Sequence, residues 1–275
     1  MPSRVTDEII GRIWRKYDSM EARLTAPLTA RILDLADLRS GMRVLDLATG
    51  RGEPAIAAAH RVGPSGRVLG IDTSESSLAM ARERALREGL TNLELRAVDA
   101  AFFEPPEREA FDAVLARWGL MYMKDPVAAL VRAGRCLRPG RLLVAAVLVE
   151  PERTQYFTWP RRLLEKHARL PPVLNVEAPG PFRYAELESL SRDLHRAGFE
   201  VHHAEEMDVA VAELGSVPEL IEWFRAFGLG GLLDALPEEL QRSWAEDVAA
   251  AAEELRVGDA YRLGAVTRVV VARSR

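Results

Sequence analysis

Twelve consecutive residues carry the densest chemistry of the chain. Val44-Leu45-Asp46-Leu47-Ala48-Thr49-Gly50-Arg51-Gly52-Glu53-Pro54-Ala55 reads as a buried strand, a tight glycine turn and the start of a helix. The spacing Gly50-x-Gly52-x-x-Ala55 matches a dinucleotide fingerprint, in which free N–H groups at a helix N-terminus bind a pyrophosphate. Two acids speak against an anion here. Asp46 lies at the strand end and Glu53 in the first helical turn. Both would repel a phosphate and attract an ammonium. S-adenosylmethionine (SAM) has an α-ammonium, a sulfonium and no phosphate, so the charges favour SAM over NAD. The plain alternative is a glycine turn that packs a helix onto a sheet without any ligand.

The elements that must position this segment follow from periodicity. Residues 5–38 read as helical, with Ile9, Ile13 and Trp14 and then Leu28, Ile32, Leu33 and Leu35 at helical spacing. Strands are predicted at Arg43–Leu47, Val68–Ile71, Leu93–Val98, Phe111–Ala116 and Leu142–Val149. Helices are predicted between them, with Ser74 as an N-cap, Gly89 as a stop and Pro126 opening the fourth crossover. Pro105-Pro106 breaks the chain, and Pro139-Gly140 turns into the fifth strand. Strands alternating with helices imply a parallel sheet covered on both faces. After Val149 the rhythm changes. A helix near Tyr184–Ala197, a sixth strand near Gly198–His202, a helical stretch near Pro218–Leu255 and a seventh strand near Ala265–Ala272 complete the reading.

Bulk properties narrow the class. Hydrophobic content of 48%, charged content of 28% and a net charge of −4 describe a globular protein without the basic surplus of a nucleic-acid binder. The single cysteine, Cys136, excludes an internal disulfide and a cysteine-rich zinc site, and the five histidines lack metal-binding spacing. No metal is expected. Met1–Arg12 has no apolar signal core, and no run of eighteen apolar residues exists, so a cytoplasmic protein without a membrane span is expected.

On these residues the chain resembles the class I SAM-dependent methyltransferases, in the branch that holds the ubiquinone/menaquinone-biosynthesis enzymes and many small-molecule methyltransferases. Val44–Gly52 resembles the first family motif, Asp72 closes the second strand, Asp99-Ala100 closes the third, and Leu137-Arg138-Pro139-Gly140 precedes the fifth. The resemblance covers residues 10–150, and more loosely the strands at 198–212 and 262–273. It implies an α/β fold, Rossmann-like, with a seven-stranded, mostly parallel sheet and helices on both faces. Residues 1–40 would be N-terminal helices and 41–150 the SAM-binding core, with 151–197 and 213–258 as helical cap insertions. SAM is the implied cofactor and S-adenosylhomocysteine its product.

The resemblance also implies roles. Gly50 and Gly52 would let backbone approach the methionine part of SAM. Asp46 would suit its ammonium, and Asp72, followed by Thr73, would accept from both ribose hydroxyls. Asp99 would accept from the adenine amino group, with the Ala100 N–H on a ring nitrogen. Arg117 and Tyr17 would serve the carboxylate end. Two positions depart from the family pattern: Ala48 and Arg141 stand where glycines are usual. Ala48 is expected to be tolerable with a negative φ, and Arg141 to affect only a structural turn.

The acceptor side is less defined. Trp118 and Met121 follow the fourth strand and are expected to wall the pocket. The insertions carry Tyr156, Phe157, Trp159, Phe182, Trp223, Phe224 and Phe227. Tyr156, Trp223 and Phe227 are the candidates for contact with an apolar acceptor, although such aromatics also serve to pack a cap. A hydroxyl acceptor would want a base. His167 and His195 qualify by residue type, His167 the better placed; His202 and His203 alternate on a strand, so at most one can face inward. The expected activity is methyl transfer to a small apolar molecule, O- or C-methylation, by a monomer or homodimer. Two alternatives stay open: a cyclisation or rearrangement in the same SAM pocket, and an NAD(P)-dependent oxidoreductase.

Overall fold

The computed structural model describes residues 4–104, 111–170 and 178–275; for residues 4–14, 228 and 230 only the backbone is described. The Pro105-Pro106 break lies outside the described residues. The chain divides into two compact units.

The larger unit comprises Ala26–Val149, Asn175–Met207 and Thr267–Arg275. Its strands are β1 (Arg43–Leu47), β2 (Arg67–Asp72), β3 (Leu93–Ala97), β4 (Phe111–Arg117) and β5 (Leu137–Leu148), joined by parts of β6 (Phe199–Leu214) and β8 (Ala260–Ser274). The order is β3-β2-β1-β4-β5-β8-β6. The first five strands are parallel, and β8 runs antiparallel to β5. This is the expected seven-stranded, mostly parallel sheet, with a two-residue strand, β7 (Arg256–Val257), added on β8 in the smaller unit.

Burial explains the order. Val44, Leu45 and Leu47 of β1, all of β4 up to Ala116, and Leu143–Leu148 of β5 are buried, as strands covered on both faces must be. At the edge, β3 exposes Glu94 and Arg96, charges that blunt an open strand edge. The crossover helices are α2 (Ala55–Val62), α3 (Glu75–Arg87) and α4 (Pro126–Cys136). Ser74 caps α3 by accepting from the Ser77 N–H at 3.2 Å, and Asp125 caps α4 by accepting from the Ala128 N–H at 2.8 Å. The helix α6 (Leu187–Arg196) packs on α4 and so belongs with the sheet, not with a cap. A short crossover helix leading into β6 must cover the sheet it re-enters.

The smaller unit comprises Met1–Thr25, Glu150–Leu174 and Asp208–Val266. It holds α5 (Gln155–Leu164), α7 (Val217–Phe224), α8 (Gly230–Asp234) and α9 (Glu238–Ala251). The stretch expected as one helix near 218–255 is thus divided by a π-turn at Arg225–Leu229 and by Leu236-Pro237, because glycines and a proline interrupt the pattern. The N-terminal segment is one helix, α1 (Arg4–Leu35), which continues through Pro27 and gives residues to both units. Among the described residues no helix is long and apolar enough to cross a membrane, and no His, Cys, Asp and Glu cluster is placed to hold a metal.

One correction bears on stability. Leu137–Arg141 does not turn before the fifth strand but lies within it, across a register shift from Phe111↔Leu137 to Ala113↔Leu142. Asp112 lies at the shift. Its Oδ2 accepts from the Arg43 N–H at 2.9 Å, its Oδ1 pairs with Arg138, and Arg141 stands at 3.8 Å. Arg141, the unusual residue of this turn, therefore helps neutralise a carboxylate that is 7% exposed. Asp112→Ala should destabilise the chain by about 2–3 kcal/mol, leaving two guanidinium groups and one N–H without their acceptor. Urea unfolding checks this, and a change under ~0.5 kcal/mol would remove Asp112 from the account.

Candidate active site

Ligands of open α/β sheets bind beyond the carboxyl ends of the strands. A cavity of about 480 Å³ lies there in the larger unit. Ala48 reaches it from β1, Asp72 and Thr73 from β2, Asp99 and Ala100 from the segment after β3, and Trp118 and Gly119 from β4; Tyr122, Met123 and Lys124 complete the wall.

Asp72 is held as an acceptor. Its Oδ2 accepts from the Gly50 N–H and its Oδ1 from the Ser74 N–H, both at 2.8 Å. Each oxygen keeps further lone-pair capacity, which suits a vicinal diol. Asp99 caps the short turn Ala100–Phe102, its Oδ1 accepting from the Ala101 N–H at 2.9 Å. Ala100 opens that turn, so its N–H has no acceptor within it.

The glycine turn does something different from what the sequence suggests. Gly50 has φ +53 and points its N–H at Asp72. Gly52 has φ +100, and a Cβ there would stand 2.6 Å from Ile56 Cδ1 and 3.2 Å from Ala81 Cβ. Gly52 thus admits the close packing of α2 and α3 rather than a ligand, and neither glycine lines the cavity. Ala48 is a second correction. Its φ is +54, not negative, a conformation that costs an L-residue roughly 1–2 kcal/mol.

Asp46 is fully buried, and neither of its oxygens has a hydrogen-bond partner among the described residues. Burial pushes its carboxyl up to about 7; the nearby Thr49 hydroxyl, the Arg117 guanidinium and the Ala55 N–H pull it down, and Glu53 raises it. A cationic group is what such an acid lacks, so the chemistry fits an ammonium. Arg117 donates to Thr29 Oγ1 at 3.3 Å and lies over the Trp118 ring at 5.2 Å. Burial lowers its pKa, while Glu53 and Asp46 raise it. Glu53 is not open to a ligand as expected. It pairs with Arg84 at 2.8 Å, both side chains being mostly buried.

The structure brings Ala48, Asp72, Thr73, Asp99, Ala100 and Trp118 to one cavity, with Asp46, Gly50, Gly52 and Arg117 in the same unit but off its wall. Met121 is 1% exposed and buried, while Tyr122, beside it, is half exposed and faces the cavity. The 3₁₀ turn Leu120–Tyr122 causes the exchange, since a tight turn rotates successive side chains to different sides. Tyr122, Met123 and Lys124 were not singled out from sequence; their only signal was adjacency to Arg117–Met121.

The remaining candidates lie in the smaller unit. Tyr17 donates to Glu222 Oε2 at 3.0 Å and meets Phe227 edge-on at 6.2 Å. Trp223 packs against Tyr156 at 5.7 Å and Phe227 at 5.1 Å, and Trp159 stacks on Phe224 at 5.5 Å. Tyr156, Trp223 and Phe227 are therefore members of one aromatic cluster. His167 Nε2 bonds to Asp247 Oδ2 at 3.0 Å, with Lys166 on the same oxygen at 3.3 Å, and this holds Asp247 below the usual carboxylate range. His195 is exposed in the last turn of α6, and His202 and His203 are both exposed.

Comparison with known proteins bears on this site. The family described as a methyltransferase domain matches residues 38–170. The chain is 33% identical to nocamycin O-methyltransferase of Saccharothrix syringae over 56% of this chain and 55% of that protein. It is 35% identical to aklanonic acid methyltransferase DauC of Streptomyces sp. (strain C5) over 45% and 56%. It is 37% identical to the ubiquinone/menaquinone biosynthesis C-methyltransferase UbiE of Bordetella avium over 50% and 55%. The chain thus spans a little over half the length of the curated relatives it matches. Among solved structures, the [4+2]-cyclase SpnF aligns with a TM-score of 0.54 and 25% identity over 90% of this chain and 80% of that one.

The Asp46 carboxyl makes stability depend on pH. In the fold it keeps its proton up to about 7, in the unfolded chain only to about 3.8. Between these values the folded chain binds more protons, so this group's contribution falls as pH rises and is fully unfavourable above about 7. Asp46→Asn should therefore raise stability more at about pH 8 than at about pH 5, by about 2–3 kcal/mol. Denaturation at both pH values checks it; equal gains would refute it.

Proposed function

We propose that this chain, which matches a methyltransferase domain over residues 38–170, is a class I SAM-dependent methyltransferase that transfers the methyl group of SAM to a small, largely apolar acceptor, at oxygen or carbon. One observation carries the choice of cofactor. Both glycine donors of the turn are already engaged within the chain: the Gly50 N–H is given to Asp72 and the Gly52 N–H to the Thr49 carbonyl at 2.9 Å, and Pro54 has none. A dinucleotide would meet carboxylates where it needs N–H groups.

In this reading Asp72 accepts from the ribose diol, beside Thr73. Asp99 takes the adenine amino group, and the Ala100 N–H serves a ring nitrogen. Asp46 faces the ammonium, and Arg117 the carboxylate. Ala48, Gly50 and Gly52 shape the turn around them. When bound, SAM supplies an electrophilic methyl on a sulfonium. The chain's own residues have to align the acceptor in line with that methyl and exclude water. Trp118 and Tyr122 are apolar walls for that purpose, while Met121 backs them from the core. For a hydroxyl acceptor, His167, oriented by Asp247, is the candidate base. The polyketide-type and quinone-type names of the relatives support an apolar acceptor of that kind.

A second reading has its own support. The likeness to a [4+2]-cyclase over most of both chains favours a rearrangement in the same pocket without methyl transfer.

S-adenosylhomocysteine should raise the melting temperature by several degrees and NAD(P) should not; the reverse result sinks the cofactor reading. Asp72→Ala should weaken S-adenosylhomocysteine binding about tenfold or more, since two charge-assisted hydrogen bonds are lost. Labelled-methyl transfer to a panel of polyketide-type phenols, acids and quinols separates the two readings. Methylated product supports the first. Cofactor binding with a rearranged, unmethylated product supports the second.

A further inference from the structure

We propose that Thr267 is a positioning residue of this site: its hydroxyl locks the Trp118 indole as a rigid wall of the cavity. Nothing in the sequence connects the two residues, which stand 149 positions apart. The proposal rests on the reading of this cavity as the cofactor site.

Trp118 has φ +56, a strained conformation for a bulky side chain. Such a conformation persists only where its surroundings over-determine it, and it clusters at functional sites. Three contacts do so here. The Trp118 N–H donates to the Ala146 carbonyl on β5 at 2.8 Å. Its indole Nε1–H donates to Thr267 Oγ1 on β8 at 3.1 Å. The Arg117 guanidinium lies over its ring. The following residue has no room to adjust, because a Cβ on Gly119 would stand 2.5 Å from the Ala48 Cβ.

Thr267 is itself the anomaly that this explains. It is fully buried, opposite Leu148 of β5, in a strand whose following residues on the same face are Val269 and Val271, both buried. Packing alone would be served by valine, and a buried hydroxyl is unfavourable unless it is hydrogen-bonded. As a β-branched residue in a strand it has little rotamer freedom, so its oxygen is a fixed point. The indole is thereby tied to the antiparallel strand rather than to its own loop. Were the hydroxyl merely structural, valine would cost stability by orphaning the indole N–H, but the cavity would not sense it.

The test uses the full chain and four variants: T267V, T267S, W118F and W118F/T267V. Calorimetric titration with S-adenosylhomocysteine should show T267V weakened about fivefold and T267S within about twofold of the parent. With phenylalanine at 118, T267V should add no further loss, since its effect runs through the indole. Unchanged affinity in T267V, or an equal loss in the W118F background, overturns the proposal. A readout independent of the cofactor is the ¹⁵N-indole signal of Trp118, identified by its absence from W118F. Its proton should exchange slowly in the parent and T267S and fast in T267V; equal exchange overturns the proposal. If the parent fails to bind S-adenosylhomocysteine, the cofactor reading falls, and the indole signal still decides whether Thr267 holds Trp118.

Discussion

The Asp72 carboxylate joins the turn after β1 to the start of α3, on two strands that run side by side. It sits at the end of β2, accepts from the Gly50 N–H of the turn after β1, and accepts from the Ser74 N–H at the start of α3. A charge-assisted hydrogen bond is about twice as strong as a neutral one, and here two of them end on one side chain. The glycine turn therefore cannot take the conformation of a phosphate cradle without giving up its strongest tie. This N–H points at an acid of the same chain, which is the ground for the cofactor proposed above. The literal match to a dinucleotide fingerprint is a match of glycine spacing only.

A second constraint lies where β1 and β4 end side by side. Ala48 and Trp118 both have positive φ, and Gly119 has no side chain because the Ala48 methyl fills its place. These are one packing problem with one solution. A glycine at 48 would leave room at 119, and an alanine at 48 requires a glycine there. Strain of this kind is stabilised by the surrounding strands, here by the hydrogen bonds of Trp118 to β5 and β8. The cavity wall is consequently built from backbone that has few alternatives.

These particulars show what a sequence can reveal. The strand–turn–helix at Val44–Ala55 and the acids Asp72 and Asp99 were legible because each is a local signal: a buried strand reads as an apolar run, and an acid at its end stands out. The φ of Ala48 was not, because it depends on Gly119, which lies far along the chain. The packing demand on Gly52 was not legible either, since Ile56 and Ala81 leave no room for a side chain there. Met121 and Tyr122 exchanged places because one 3₁₀ turn decides which of two neighbours is buried. Thr267 had no signal, since a threonine among valines looks like β-propensity. The aromatics Tyr156, Trp223 and Phe227 stand out by residue type, but composition could not show that they pack on one another.

The least stable part of this arrangement is also its most informative. Asp46, Glu53, Arg84 and Arg117 place two acids and two bases in largely buried positions close to the glycine turn. Glu53 and Arg84 satisfy each other directly, which leaves Asp46 and Arg117 coupled only through space. A buried acid without a hydrogen bond is a liability that packing alone would remove by an apolar residue. Proteins that keep such a group usually do so at a functional site, where local consistency gives way to chemistry. An ammonium brought to Asp46 would supply the missing donor and return its carboxyl to the charged form. Binding and protonation at this residue are then the same equilibrium seen from two sides. That linkage would tie a buried acid that lacks a partner among the described residues to the α-ammonium, a group that a dinucleotide lacks.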